Sequence, residues 1–233
     1  MRRARREIRR LKTFLGRVAR DIGGKIANRP GLAPHFAEPF ARVTRLLAQQ
    51  KTDRAKLYAL HAPEVECLAK GKAHKRYEFG VKVSVATTNR EGLVLGMLAL
   101  PGNPYDGHTL SAALAQVERM TGVAVARGYV DRGYRGHGLD HRRIFISGQR
   151  RGITPTIRRE LRRRSAIEPV IGHMKVDGRL DRNFLAGARG DAINALLCGA
   201  GYNLRLILNH LRRLLRALLL ALAGNHQLPA SSS

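Results

Sequence analysis

Between residues 77 and 100 the chain takes up a period of two, and that switch constrains the fold more than any other feature. YEFGVKVSVATT (77–88) alternates apolar and polar side chains with β-branched residues among them, which predicts a half-buried strand. GLVLGMLAL (92–100) predicts a second, more buried strand, with the Asn89–Gly92 region as the turn. PGNPYDGHTL breaks the sheet, and DGHTLSAALAQVERM (106–120) reads as a helix. VAVARGYV (123–130) and RRIFIS (142–147) predict two more strands. In TPTIRRELRRR, Thr154 is placed to cap a helix and Pro155 to open it. The order β-β-α-β-β-α-α predicts an α/β core with helical flanks.

The first 27 residues place Ile8, Leu11, Leu15, Val18 and Ile22 at three- and four-residue steps, one apolar stripe on an arginine-rich helix. NRPGLAPHFAEPF holds three prolines and predicts an irregular linker, followed by a short helix over 41–50. The expected division is a basic helical segment with its linker (1–55), an α/β domain (56–224) and a tail (225–233). No internal repeat is present.

Charge decides the partner class. The 233 residues carry 43 Lys and Arg against 17 Asp and Glu, a net charge of +26, with 44% apolar residues to form a core. Such a balance on a folded chain points to a polyanion, nucleic acid first. The most apolar stretch, 192–224, is broken by Asn194, Asn203, Arg205, Asn209, His210, Arg212, Arg213 and Arg216, so a spanning helix is not expected. Its leucines are expected to pack on the core with the arginines outward. The basic start lacks an apolar stretch of signal-peptide type. Cys67 and Cys198 fit no CxxC pattern and read as reduced thiols of a cytosolic protein.

Acidic residues are scarce, so each one in a basic setting matters. Asp131 directly follows the third predicted strand, where open α/β sheets place their sites; Asp131-Arg132-Gly133 also has the composition of a turn start, the plainer reading of those residues alone. Glu168 lies in RRRSAIEPVIGHMK (162–175). If the helix from 155 runs through it, Arg164, Glu168 and Lys175 share one stripe, a carboxylate between two phosphate-binding cations. Ser165 and Glu168 also have capping-box spacing, and Pro169 suits either a kink or a first turn. Asp106 and His108 could contact metal or DNA, though Asp106 also stands where a helix cap is expected. Lys72, Lys75 and Arg76, with Tyr77 and Phe79 interleaved, form either a DNA-facing patch or a solvated edge. His74, His137, His141 and His173 have no zinc-ligand spacing with either cysteine.

The stretches KAHKRYEFGVKVSVATTNREGLVLGMLALPGNPYDGHTL, VDRGYRG and RRRSAIEPVIGHMKVDGRL together resemble bacterial insertion-sequence transposases of the DDE type, of the IS-five group. The likeness spans roughly residues 56–220. It implies an RNase H-like fold, double-stranded DNA at transposon ends as partner, a homo-oligomer or pairing with an intact transposase, Mg²⁺ (or Mn²⁺) as cofactor, and metal-dependent strand cleavage and joining in the bacterial cytoplasm, at the nucleoid. Asp131 matches the family's second catalytic and metal-binding Asp, and Glu168 its Glu. Arg164 and Lys175 match the basic partners in the related Y-x2-R-x3-E-x6-K signature, whose Tyr is Leu161 here. Arg132, Arg135, Lys72, Lys75 and Arg76 are the further expected DNA contacts.

The family's first Asp, on the opening strand of the core, has no counterpart. Asp21 and Asp53 are the aspartates of residues 1–55, and neither follows a strand. The resemblance therefore implies an N-terminally truncated transposase that binds DNA but lacks catalysis. It also implies a gap in the sheet, an improvised strand from 56–68 filling it, or a poorly stable protein that aggregates through the exposed strand edges. The rival readings are a non-catalytic DNA-binding remnant that pairs with or inhibits an intact transposase, and a basic amphipathic binder of membranes or RNA.

Overall fold

The computed structural model describes residues 2–69 and 76–224. The chain divides into two compact units, Met1–Val81 and Lys82–Ser233. The boundary expected near residue 55 falls inside the first.

In the first unit, α1 (Arg2–Ala27) packs on α2 (Ala33–Ala48). The face that meets α2 is centred on Gly16, where a Cβ would stand 3.8 Å from Leu47 Cδ1. Lys12 Nζ ties the helices further, donating to the carbonyls of Leu47 and Gln49 at 3.0 and 2.9 Å. Ile8, Leu11 and Val18 of the expected stripe stay more than half exposed. The expected linker is largely helix. Pro34 lies in the first turn of α2, where no N–H is required, and Pro39 is carried inside it. β1 (Glu66–Ala69) pairs antiparallel with β2 (Tyr77–Gly80).

The strand expected over 77–88 is two strands. Gly80 has φ +145°, a backbone open essentially to glycine, and the chain turns there out of the β1–β2 pair. In the second unit β3 (Lys82–Thr87) pairs antiparallel with β4 (Val94–Leu100). A bulge next to the turn that joins them pairs Ala86 with Gly96 but Thr87 with Val94. It rephases the strand so that Val94 and Met97 join one core cluster, with Val170, Met174 and Ala195. Gly96 points the other way, its missing Cβ 3.1 Å from Val117 of α3 (Asp106–Thr121). The hairpin is thus covered by helices on both faces.

β5 (Gly128–Val130) and β6 (Ile144–Ile146) pair in parallel, shorter than the expected 123–130 and 142–147. Their connection carries a 3₁₀ turn, Arg132–Tyr134, and buries Leu139 against Leu110 and Leu114 of α3. α4 (Pro155–Arg164) is fastened to β5 by Glu160, which accepts a short hydrogen bond from the Tyr129 hydroxyl and pairs with Arg127 at 3.4 Å. Burial, then this bond to Glu160, pushes the Tyr129 phenol up to about 12. α5 (Ile167–Val176) packs on α6 (Gly187–Gly224). No ladder joins β3–β4 to β5–β6 among the described residues. The strand at 66–69 pairs with β2 inside the first unit.

α6 lies on β4 only through its first half. A Cβ on Gly199 would stand 2.8 Å from Met97 Cγ, so the helix needs glycine to approach that closely. The Asn203 amide accepts from Val94 N–H and donates to Val94 C=O, both at 2.8 Å. Beyond that point the expectation fails: residues 207–223 are exposed throughout, leucines included. Among the described residues no helix is long and apolar enough to cross a membrane.

Candidate active site and basic groove

Asp131 leaves β5 and caps the 3₁₀ turn, its Oδ1 accepting the Gly133 N–H at 2.8 Å. Asp106 opens α3 beside it. Tyr105 is the N-cap of that helix and makes no side-chain cap, so the expected capping role of Asp106 is not realised. Its carboxylate is engaged sideways instead: Lys82 Nζ donates to Oδ1 at 3.0 Å and to the Pro104 carbonyl at 2.6 Å.

Gly133 holds the two carboxylates together. A Cβ there would stand 2.7 Å from Asp106 Oδ2 and 3.0 Å from Asp131 Oδ1, so both oxygens lie within 3.0 Å of one point. Beneath them the Tyr134 hydroxyl is hydrogen-bonded to Ser84 and Thr109. Burial first, and then the charges of Asp106 and Asp131, raise its phenol above the ordinary value.

Glu168 is carried by another element, α5. The single helix expected through Arg164, Glu168 and Lys175 is broken at Ser165–Ala166. Pro169 has no N–H, and its ring crowds the Ser165 carbonyl, which takes the Glu168 N–H at 3.2 Å instead. The capping-box alternative fails too, because Ser165 Oγ donates backwards to the Arg162 carbonyl at 2.7 Å. Glu168 is exposed in the first turn of α5, two turns before the half-buried Lys175 and on its side of the helix. Arg164, half-buried, ends α4. Among the described residues no group of three or more acidic, His or Cys side chains could hold a metal, so Glu168 does not complete a triad with Asp106 and Asp131.

The cations divide likewise. The Arg132 guanidinium lies against Gly148, 2.9 Å from where a Cβ would be, and that residue's φ of +84° also excludes a side chain. Arg135 is exposed, and its carbonyl accepts from the Tyr105 hydroxyl at 2.9 Å. Arg76 is exposed ahead of β2, in the first unit. Lys72 and Lys75 lie outside the described residues. Past Gly148 opens a groove of about 520 Å³ whose polar lining is Ser147, Gln149, Arg150, Arg158 and Arg162. Leu161, at the signature's Tyr position, forms part of its wall.

Within 150–164 the sequence pointed to Thr154, Pro155, Leu161 and Arg164 but not to the groove's Arg150, Arg158 and Arg162, and Lys82, Ser84 and Tyr134 went unmarked. The one local signal for the paired carboxylates is the small residue two places after Asp131.

Over residues 51–204 the chain matches the family described as transposase DDE domain, and it belongs to that family. The domain is therefore of the kind that serves DNA transposition. No curated protein and no solved structure matches the chain.

Proposed function

We propose that this chain binds double-stranded DNA along the Arg132–Gly148 groove and holds a single divalent cation between Asp106 and Asp131. The observation that carries this reading is the convergence of the two carboxylates on the space left by Gly133, with Arg132, next to Asp131 in the chain, lying against Gly148 of a groove lined by three arginines. Mg²⁺ commonly takes one or two protein carboxylates and completes its shell with water and phosphate oxygens, so this pair suits one ion. A bound ion would supply Lewis-acid polarisation of a phosphodiester. The chain's own part is to position: Lys82 orients Asp106, the Gly133 N–H orients Asp131, and guanidinium groups fix the phosphate backbone.

Asp131 and Glu168 remain the residues that correspond to the IS-five group's second Asp and its Glu. Two-metal cleavage needs carboxylates shared between ions, and the first Asp of the family has no match here. The separation of β3–β4 from β5–β6 supports a core without its opening strand. DNA binding without strand cleavage is the outcome this reading requires. Supercoiled plasmid incubated with Mg²⁺ or Mn²⁺ should be bound but nicked no faster than background. Metal-dependent nicking that Asp131→Asn abolishes would refute the inactive assignment.

A further inference from the structure

The distal half of α6 carries a pattern that neither the core nor the groove uses. Leu204, Leu208, Leu211, Leu215, Leu218 and Leu222 follow one another at steps of four, three, four, three and four, the a/d rhythm of a coiled coil. Each is 45–67% exposed. The face that meets the domain is a different one, made by Ala195, Cys198, Gly199 and Asn203. The leucine seam is therefore free of the helix's own docking.

We infer that this seam is a self-association surface, on which a second copy of the chain docks in parallel as a two-stranded coiled coil. Area and charge choose the occupant. Nine apolar side chains, the six leucines with Ile207, Leu214 and Leu219, are 45–67% exposed. Covering them removes on the order of 500–700 Å² per copy before the arginine stems are counted, close to the ~800 Å² per partner of a stable interface.

With Leu208, Leu215 and Leu222 at a, Arg205 and Arg212 fall at e, while Ala200, Ile207 and Leu214 fall at g. A parallel pair sets e against g′, so each of these arginines faces an apolar residue of the other copy. An antiparallel pair sets e against e′ and brings the two Arg212 guanidinium groups together, a like-charge contact. The other apolar stripe of the chain, on α1, is flanked by still more arginine and is the poorer partner on charge.

The test uses the full chain. Analytical ultracentrifugation across micromolar concentrations should show wild type shifting from monomer to dimer. Leu211→Lys with Leu215→Lys should stay monomeric while its far-UV circular dichroism and melting midpoint match those of dilute wild type. Leu220→Lys, off the seam, should dimerise like wild type. Leu218→Cys should cross-link to its mate under oxidation well above the wild-type background, and Leu220→Cys should not. A wild type that stays monomeric would overturn the inference, whether the leucines then prove to cover the chain itself, shown by a lower melting point of the double lysine variant, or to bind vesicles of anionic lipid. Dimerisation that survives the double lysine change would overturn it too, and a dimer without the Leu218→Cys cross-link would overturn its parallel arrangement.

Discussion

Asn203 is the joint on which the placement of α6 depends. Val94 turns its N–H and C=O away from β3, towards the open edge of β4, and is only 9% exposed. A primary amide presents one donor and one acceptor as a neighbouring strand would, and Asn203 satisfies both groups at 2.8 Å. Asn203→Ala leaves two backbone groups unpaired, at about 1–3 kcal/mol each, less whatever water recovers. A loss of about 2–4 kcal/mol should follow, which for a chain of this size is a fall in melting temperature of roughly 5–15 °C.

Asn203→Asp separates hydrogen bonding from packing. Ionised, it accepts from Val94 N–H but sets a carboxylate against Val94 C=O; protonated, it can donate again. Its folded pKa must then lie above the unfolded value. The stability it contributes is complete below the unfolded pKa and is lost as pH rises through the folded one. Thermal melts by circular dichroism should show Asn203→Asp close to wild type near pH 4 and at least as unstable as Asn203→Ala at pH 7. An alanine variant within ~0.5 kcal/mol of wild type, or an aspartate variant whose deficit ignores pH, would refute the reasoning.

The Tyr129–Glu160 bond gives a second pH signature. Because the folded phenol sits near 12 against an ordinary 10, its contribution is complete below pH 10 and disappears towards pH 12. Wild type should lose melting temperature over that window more steeply than Tyr129→Phe. Gly133→Ala places a methyl 2.7 Å from Asp106 Oδ2, and the half-exposed carboxylate can swing aside. Stability should therefore fall by only ~1 kcal/mol while Mg²⁺ affinity, followed by calorimetry, falls at least tenfold. Equal affinity in the two proteins would detach Gly133 from the site.

Local signals were readable wherever they acted locally. The helix expected at 106–120 is Asp106–Thr121, because a proline-glycine break precedes it and Gly122, at φ +68°, ends it. Thr154 caps α4 as its position suggested, accepting from the Ile157 N–H. Alternation located β3 and β4 but not the turn at Gly80, since a glycine's positive φ leaves no mark on a period of two. The prolines before residue 40 signalled an irregular linker, yet α2 starts at Ala33 with one of them in its first turn. The break before Glu168 was written in Pro169, though spacing alone left a kink and a fresh start equally open. Asp131 was visible at a strand end. Its pairing with Asp106 was not, because it depends on Lys82 from another strand and on a void at Gly133, both products of tertiary packing. The leucines of α6 were read as core, and whether an apolar seam meets its own domain or another chain is not encoded in its periodicity.

Duplex DNA affinity as a function of salt tests the central claim most directly. A groove and helices that neutralise several phosphates should release counterions in proportion, with a log–log slope of about −0.9 per contact. Fluorescence anisotropy with a short labelled duplex should lose about 10³–10⁵ in affinity between ~50 and ~200 mM salt if six to ten phosphates are engaged. Replacing Arg150, Arg158 and Arg162 together should make that slope shallower by two to three units. A flat salt response, or a slope the triple replacement leaves unchanged, would contradict the account of this chain as a DNA-binding DDE domain that works through its arginine groove.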